Sequence, residues 1–253
     1  MRIASIQLDS VWQDAEANLT ALASYRKQLK KDLVDVVVLP ELFHSGFSMN
    51  TKQIQQDRTG LVYSKLSQLA KELGIYIIAG VALKSDGNKA LNSALVFDRN
   101  GTEQACYIKN YAFSYANEDQ FYQAGTQQVI FNIDDAACSV FICYDLRFPE
   151  VFRKVAQQVE MVFVIANWPA SRQQHWQTLL QARAIENQCF VVGVNRTGED
   201  GNGLLYEGGS SVISPFGEIL SGMDADSHYL VTEVDPKQAL TIRERFPFLN
   251  DMQ

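Results

Sequence analysis

The 253-residue sequence contains no basic tract longer than the pair Lys30-Lys31. A phosphate backbone is held by clustered cations, so nucleic acid is not an expected partner, and the formal net charge of -7 points the same way. An anionic small molecule stays open, because the charge lining a pocket need not follow the net charge. No apolar run approaches the ~20 residues that span a bilayer. The opening residues, Met1-Arg2-Ile3-Ala4-Ser5-Ile6-Gln7, enter a strand pattern at once, without the charged and then apolar segments of a secretory leader. No membrane association is therefore expected, and a cytoplasmic protein is. Only four cysteines occur (Cys106, Cys138, Cys143, Cys189), none in Cys-x-x-Cys spacing. They are expected to be reduced thiols, with no bound metal. Repeats, low-complexity tracts and linkers are missing as well, which favours one domain over residues 1–253. What the chain does have is 47% hydrophobic and 11% aromatic residues, enough for a sizeable core.

The apolar residues fall into two patterns. Continuous runs (Val34 to Leu39, Ile75 to Leu83, Ala137 to Ile142, Met161 to Ala166, Phe190 to Asn195) read as strands buried on both faces. Helical spacing marks Asp14 to Leu33, Leu61 to Leu73 (stopped by Gly74), Glu150 to Gln158, Gln173 to Asn187 and Pro236 to Arg245. Arg2 to Leu8, Leu91 to Phe97 and Cys106 to Ile108 add strands, the last two joined by the turn Asp98-Arg99-Asn100-Gly101. Val129 to Ile133, Ser210 to Ser214, Glu218 to Leu220 and Tyr229 to Val234 complete them. Asn110 to Gly125 reads as a long ordered loop, a feature often functional in compact domains, and Thr197 to Gly203 as a Gly/Asp loop. Buried strands alternating with helices, plus antiparallel pairs, predict an α/β fold with mixed sheets covered by helices.

Three buried strands end in a reactive side chain: Leu39-Pro40-Glu41, Tyr107-Ile108-Lys109 and Phe141-Ile142-Cys143. Strand ends in α/β folds are where reacting groups gather. At a shared rim, an ammonium would lower the pKa of a nearby thiol and, with the N–H of Tyr144, stabilise an oxyanion. A poorly hydrated carboxylate, its pKa raised, would shuttle the proton. Each residue alone also has a plainer reading. Cys143 could be a small core hydrophobe, Glu41 a helix-start carboxylate, and Lys109 and Glu118 solvated charges.

The segments Leu39-Pro40-Glu41-Leu42-Phe43, Lys109, Cys143-Tyr144-Asp145-Leu146-Arg147-Phe148-Pro149-Glu150 and Ala182-Arg183-Ala184-Ile185-Glu186-Asn187-Gln188 together resemble the nitrilase superfamily, across essentially the whole chain. Ala166-Asn167-Trp168-Pro169-Ala170, His175-Trp176 and Gly201-Asn202-Gly203 are similar to its bacterial omega-amidase branch, whose members hydrolyse the terminal amide of 2-oxo acid amides such as 2-oxoglutaramate. The resemblance implies a four-layer α-β-β-α sandwich with two mixed sheets, a homodimer, a small-molecule amide substrate, and no metal or organic cofactor. It assigns Cys143 as nucleophile, Lys109 as oxyanion stabiliser, Glu41 as general base and acid, and Glu118 as support for Lys109. Tyr144-Asp145 stands where nitrile hydrolysers carry Trp-Glu, which disfavours a nitrile substrate. Asn110-Tyr111-Ala112-Phe113 lacks the histidine many relatives place after the lysine, leaving the pocket lining open.

Arg147 is expected to pair with Glu150 or an internal carboxylate in preference to substrate, and Arg183 with Glu186 at helical spacing. Trp168 is read equally as pocket wall and as core. Cys106, Cys138 and Cys189 are expected to be inert. Alternatives are the same machinery on another amide or an N-carbamoyl compound, a Cys–His hydrolase using His44, His175 or His228, and a non-catalytic binding protein of this fold.

Overall fold

The computed structural model describes residues 1–252. The chain opens with β1 (Arg2–Ile6), α1 (Ala15–Ser24) and α2 (Arg26–Lys31). One continuous helix is expected over Asp14 to Leu33, but it breaks at Tyr25. There the Ser24 hydroxyl donates to the Ala21 carbonyl at 2.6 Å, and the Tyr25 ring stacks on Tyr229. Next come β2 (Val36–Val38), α3 (Thr51–Ile54) and α4 (Leu61–Leu73), which stops at Gly74 with φ 64°, a left-handed cap that favours glycine. The meander β3 (Tyr76–Leu83), β4 (Leu91–Phe97) and β5 (Glu103–Ile108) follows. The loop from Asn110 to Gly125 contains a 3₁₀ turn and the short helix α5 (Glu118–Phe121).

The second half repeats the pattern with β6 (Phe131–Ile133), β7 (Ala136–Ile142), α6 (Pro149–Arg153), β8 (Met161–Ala166), α7 (Gln173–Asn187) and β9 (Phe190–Asn195). The helix expected over Glu150 to Gln158 regularises only as α6. Its continuation bonds at i+3, Val155 N to Phe152 O at 3.1 Å, while still burying Phe152, Val155, Ala156 and Val159. The expected loop Thr197 to Gly203 is half of a hairpin, β10 (Thr197–Glu199) paired with β11 (Leu205–Glu207). The chain closes with β12 (Ser211–Ile213), β13 (Ile219–Gly222), β14 (Tyr229–Glu233) and α8 (Gln238–Arg245).

Two mixed six-stranded sheets result, ordered β14-β1-β2-β3-β4-β5 and β13-β12-β9-β8-β7-β6. Alternation along the strands sets the layers. Ile3, Val36, Val38, Ile78, Ala94 and Val96 pack in one cluster with Val140, Ile142, Phe163 and Val192 of the other sheet. Their neighbours Ala4, Val37, Ile77, Ala79 and Leu95 pack against Leu22, Leu29, Val62 and Leu66 of the outer helices. Phe152, Trp176, Leu180 and Ala184 of α6 and α7 cover the second sheet. The architecture is therefore the α-β-β-α sandwich. In each sheet three central strands are parallel (β1-β2-β3 and β7-β8-β9). β5 is antiparallel to β4, itself antiparallel to β3, so its carboxyl end joins those of β2 and β3. Glu41, Lys109, Cys143 and Asn167 all follow strands at carboxyl ends. No helix among the described residues is long and apolar enough to cross a membrane.

Candidate active site

Cys143 sits where β7 turns sharply into a 3₁₀ turn, Cys143–Arg147, before Pro149 opens α6. Its φ is 46°, a left-handed conformation rare for a residue with a side chain, and it presents the sulfur at the rim, half-buried, instead of in the core. The turn is held from outside by α7. Arg183 donates to the Leu146 carbonyl at 2.7 Å and pairs with Glu186 at 2.9 Å, the structural pair its spacing indicates.

The charged groups meet behind the sulfur. The Lys109 ammonium lies 2.8 Å from Glu41 Oε1 and 2.9 Å from Glu118 Oε2. Both carboxylates are fully buried, and Lys109 is 2% exposed. A solvated reading of either Glu118 or Lys109 is thereby ruled out. Isolation in a low-dielectric site makes such charges costly unless paired and hydrogen-bonded, and here they are. The Asn92 amide, on β4, donates to Glu41 Oε1 and Glu118 Oε1, both at 2.7 Å. Asn167 gives its backbone N–H to Glu41 Oε2 at 2.9 Å and its side-chain amide to the Glu41 carbonyl at 2.6 Å. Phe113 N–H donates to Glu118 Oε2 at 2.6 Å. The Cys143 sulfur lies 3.7 Å from the Asn167 carbonyl oxygen.

The electrostatics differ from the sequence expectation in two places. Burial pushes the Glu41 carboxyl up, but Lys109 and the donors Asn92 and Asn167 outweigh it and hold Glu41 below the ordinary carboxylate range. Burial and the Glu41 charge push the Cys143 thiol well above its ordinary value; Lys109 opposes this without overcoming it. Burial also opposes the Lys109 charge, yet Glu118 and Glu41 hold its pKa well above normal. The resting state is thus thiol, ammonium and carboxylate, not the thiolate expected from a lysine neighbour. The reason is first burial of the sulfur, and second that two carboxylates share one lysine, so its charge does not offset theirs.

Cys143 and Lys109 open onto a cavity of about 360 Å³ whose walls include Tyr144, Trp168, Arg147, Arg172, Asn202 and Tyr206. Tyr144 packs against Phe113 and Phe148. Trp168 is both core and wall: 2% exposed, its indole N–H bonded to the Arg172 carbonyl at 2.8 Å, it carries the Arg147 guanidinium 4.8 Å above its ring. The ion pair expected for Arg147 is not formed; its guanidinium donates to His175 Nδ1 at 3.2 Å and faces the cavity. Arg172 lies 5.6 Å over Phe113. None of the three histidines bonds to Cys143: His44 meets the Ile54 carbonyl, His228 the Gln7 carbonyl and His175 the Arg147 guanidinium. Cys138 and Cys189 are buried, and burial raises their thiol pKa values, Cys189 to about 12; half-buried Cys106 is also raised. Asn92 and Arg172 carry no sequence signal as site residues, being a lone amide and a helix-start arginine, and Asn167 is marked only by its place in the Ala166–Ala170 segment.

The sequence matches the carbon-nitrogen hydrolase family model over residues 2–244. It is 37% identical to omega-amidase YafV of Escherichia coli K12 over 99% of this chain and 96% of that one. It is 31% identical to 2-oxoglutaramate amidase of Bacillus subtilis, over 99% and 97%. The fold superposes with a TM-score of 0.95 on XC1258 of Xanthomonas campestris, a CN-hydrolase superfamily protein crystallised with an arsenic adduct in its active site, at 32% identity and covering 100% and 97% of the two chains. The chain is a C–N hydrolase and belongs to the carbon-nitrogen hydrolase family.

Proposed function

We propose that this hydrolase cleaves the terminal carboxamide of a small 2-oxo acid amide, 2-oxoglutaramate or a close analogue, to the acid and ammonia. The observation that carries this reading is the cavity itself. A thiol and an ammonium line it, with the buried Glu41 carboxylate behind the ammonium, and two guanidiniums, Arg147 and Arg172, stand on aromatic rings in its wall. Neither arginine has a carboxylate partner among the described residues, so an anionic substrate end would complete them. The omega-amidase and 2-oxoglutaramate amidase relatives support the same substrate class.

In this mechanism Cys143 attacks the amide carbon while its proton passes to Glu41. The oxyanion is stabilised by Lys109 and the Tyr144 N–H. The C–N bond breaks as Glu41 returns the proton to the leaving ammonia. Water, deprotonated by Glu41, then attacks the thioester; the C–S bond breaks, Glu41 returns that proton to the sulfur, and the product leaves as the acid, which ionises by giving its proton to the released ammonia. Glu118 and Asn92 keep Lys109 and Glu41 aligned. No metal or organic cofactor takes part in this scheme, and a reducing cytoplasm suits the free thiol.

Ammonia-release kinetics with 2-oxoglutaramate, glutamine and a neutral aliphatic amide side by side test the reading. The oxo acid amide is expected to give the highest kcat/KM, since the ammonium of glutamine is repelled by the two arginines. Arg147→Met should raise KM for the acid roughly tenfold or more and leave the neutral amide unaffected. Glutamine preferred over its oxo analogue would refute the substrate assignment. We also propose a homodimer through the exposed apolar patch of Ile185, Phe216 and Phe248 (54%, 53% and 64% exposed). Sedimentation at the mass of one chain would set that aside.

A further inference from the structure

Asp145 lies two residues past the sulfur, is fully buried, and uses both carboxylate oxygens. Oδ2 accepts from the Ile142 N–H at 3.1 Å and the Tyr107 hydroxyl at 2.8 Å; Oδ1 accepts from the Tyr111 N–H at 2.8 Å. Tyr107 and Tyr111 stand two residues before and two after Lys109. Ile142 immediately precedes Cys143. One carboxylate thus ties the chain on both sides of the ammonium, which belongs to the first sheet, to the turn that carries the sulfur, which belongs to the second. That turn needs a tie, because Cys143 holds a left-handed φ of 46°.

We infer that Asp145 is a positioning residue that fixes the Cys143 turn against the Lys109 segment and does so only as the carboxylate. The Ile142 and Tyr111 N–H groups can only donate; a protonated carboxyl would reverse the Tyr107 bond, turning that hydroxyl's own hydrogen away, and would lose the charge that strengthens the other two. The titratable groups acting on it are Lys109 and Tyr107 on the first-sheet side, with Cys143 and Arg147 at the two ends of its own turn. Burial pushes Asp145 up to about 7, against the pull of Lys109 and the three hydrogen bonds. Its ionised fraction, and the clamp with it, falls as pH drops through that value. Loss of one hydrogen bond to a charged group is worth roughly 10- to 100-fold, and a misplacement of ~1 Å about 100-fold in rate.

The inference rests on the site assigned above but not on the choice of substrate, and two readouts keep these apart. The first is kcat against pH for whichever amide the wild type hydrolyses. The second, free of substrate, is the rate of iodoacetamide alkylation of Cys143, located by mass spectrometry. Asp145→Asn, which turns an N–H toward a donor, should lower kcat at least about tenfold with KM changed less than about threefold, and should change the alkylation rate. Tyr107→Phe deletes one of the bonds favouring the charged form, so its acid limb should move to higher pH, while Tyr111 and Ile142 still hold the turn. If Asp145→Asn does not fold, the Tyr107→Phe profile alone decides. A Tyr107→Phe profile superimposed on that of the wild type, or a folded Asp145→Asn with wild-type kcat and alkylation rate, would overturn the inference.

Discussion

Burial, together with two carboxylates on one ammonium, sets the resting state of the Cys143 thiol. The Cys143 sulfur is desolvated, and because Glu41 and Glu118 both contact Lys109 the ammonium does not offset that cost, so the thiol keeps its proton. In the mechanism proposed above, attack then requires proton transfer in the same step, for which the ionised Glu41 is suited. The difference in thiolate absorbance between the wild type and Cys143→Ala, followed as pH rises, should give a midpoint well above the ordinary thiol range. In Glu41→Gln, with one negative charge removed, the midpoint should fall, because Lys109 then faces Glu118 alone. A wild-type midpoint below neutrality would mean a preformed thiolate and would contradict this balance.

Among the elements, β3 places Glu41 without touching substrate. A Cβ at Gly80 would lie 2.6 Å from the Pro40 carbonyl oxygen and closer still to the Glu41 Cα, so only glycine lets this strand pass beneath the Glu41 turn. Gly80→Ala should displace the carboxylate and lower kcat by ~10- to 100-fold. Gly74→Ala, at the open left-handed end of α4, should lower stability by ~1 kcal/mol and leave kcat unchanged. Thermal melts paired with ammonia release separate the two; equal kcat in both variants would show that Gly80 is a packing residue only. The ranges of β4, β8, β9 and α7 are readable from the sequence because alternation in the first, uninterrupted apolar runs in the next two and helical periodicity in the last leave one solution. The break at Tyr25 and the hairpin β10–β11 are not, since tertiary contacts, the Tyr229 ring in one case and strand pairing in the other, override local pattern. In the site, Glu41, Lys109 and Cys143 stand out as reactive groups after buried runs. Asn92, Asn167 and Asp145 act through contacts 26 to 126 residues away along the chain, which spacing does not encode.

At the scale of the molecule, two similar half-sandwiches meet so that the carboxyl ends of their parallel strands face one cavity. Glu41 and Lys109 come from the first sheet, Cys143 and Asn167 from the second, and the backbone N–H of Asn167 meets Glu41 across the join. Face-to-face packing of Val36, Val38 and Ile78 against Val140, Ile142 and Phe163 fixes that alignment, so core and site form one structural problem. We propose that this convergence makes the Cys143 sulfur the atom on which hydrolysis runs. Ammonia release by Cys143→Ala, measured with a thermal melt of the same sample, tests it most directly. A loss of about 10³-fold or more in kcat is expected, with the cooperative melt retained. Turnover within tenfold of the wild type in a folded Cys143→Ala protein would contradict it.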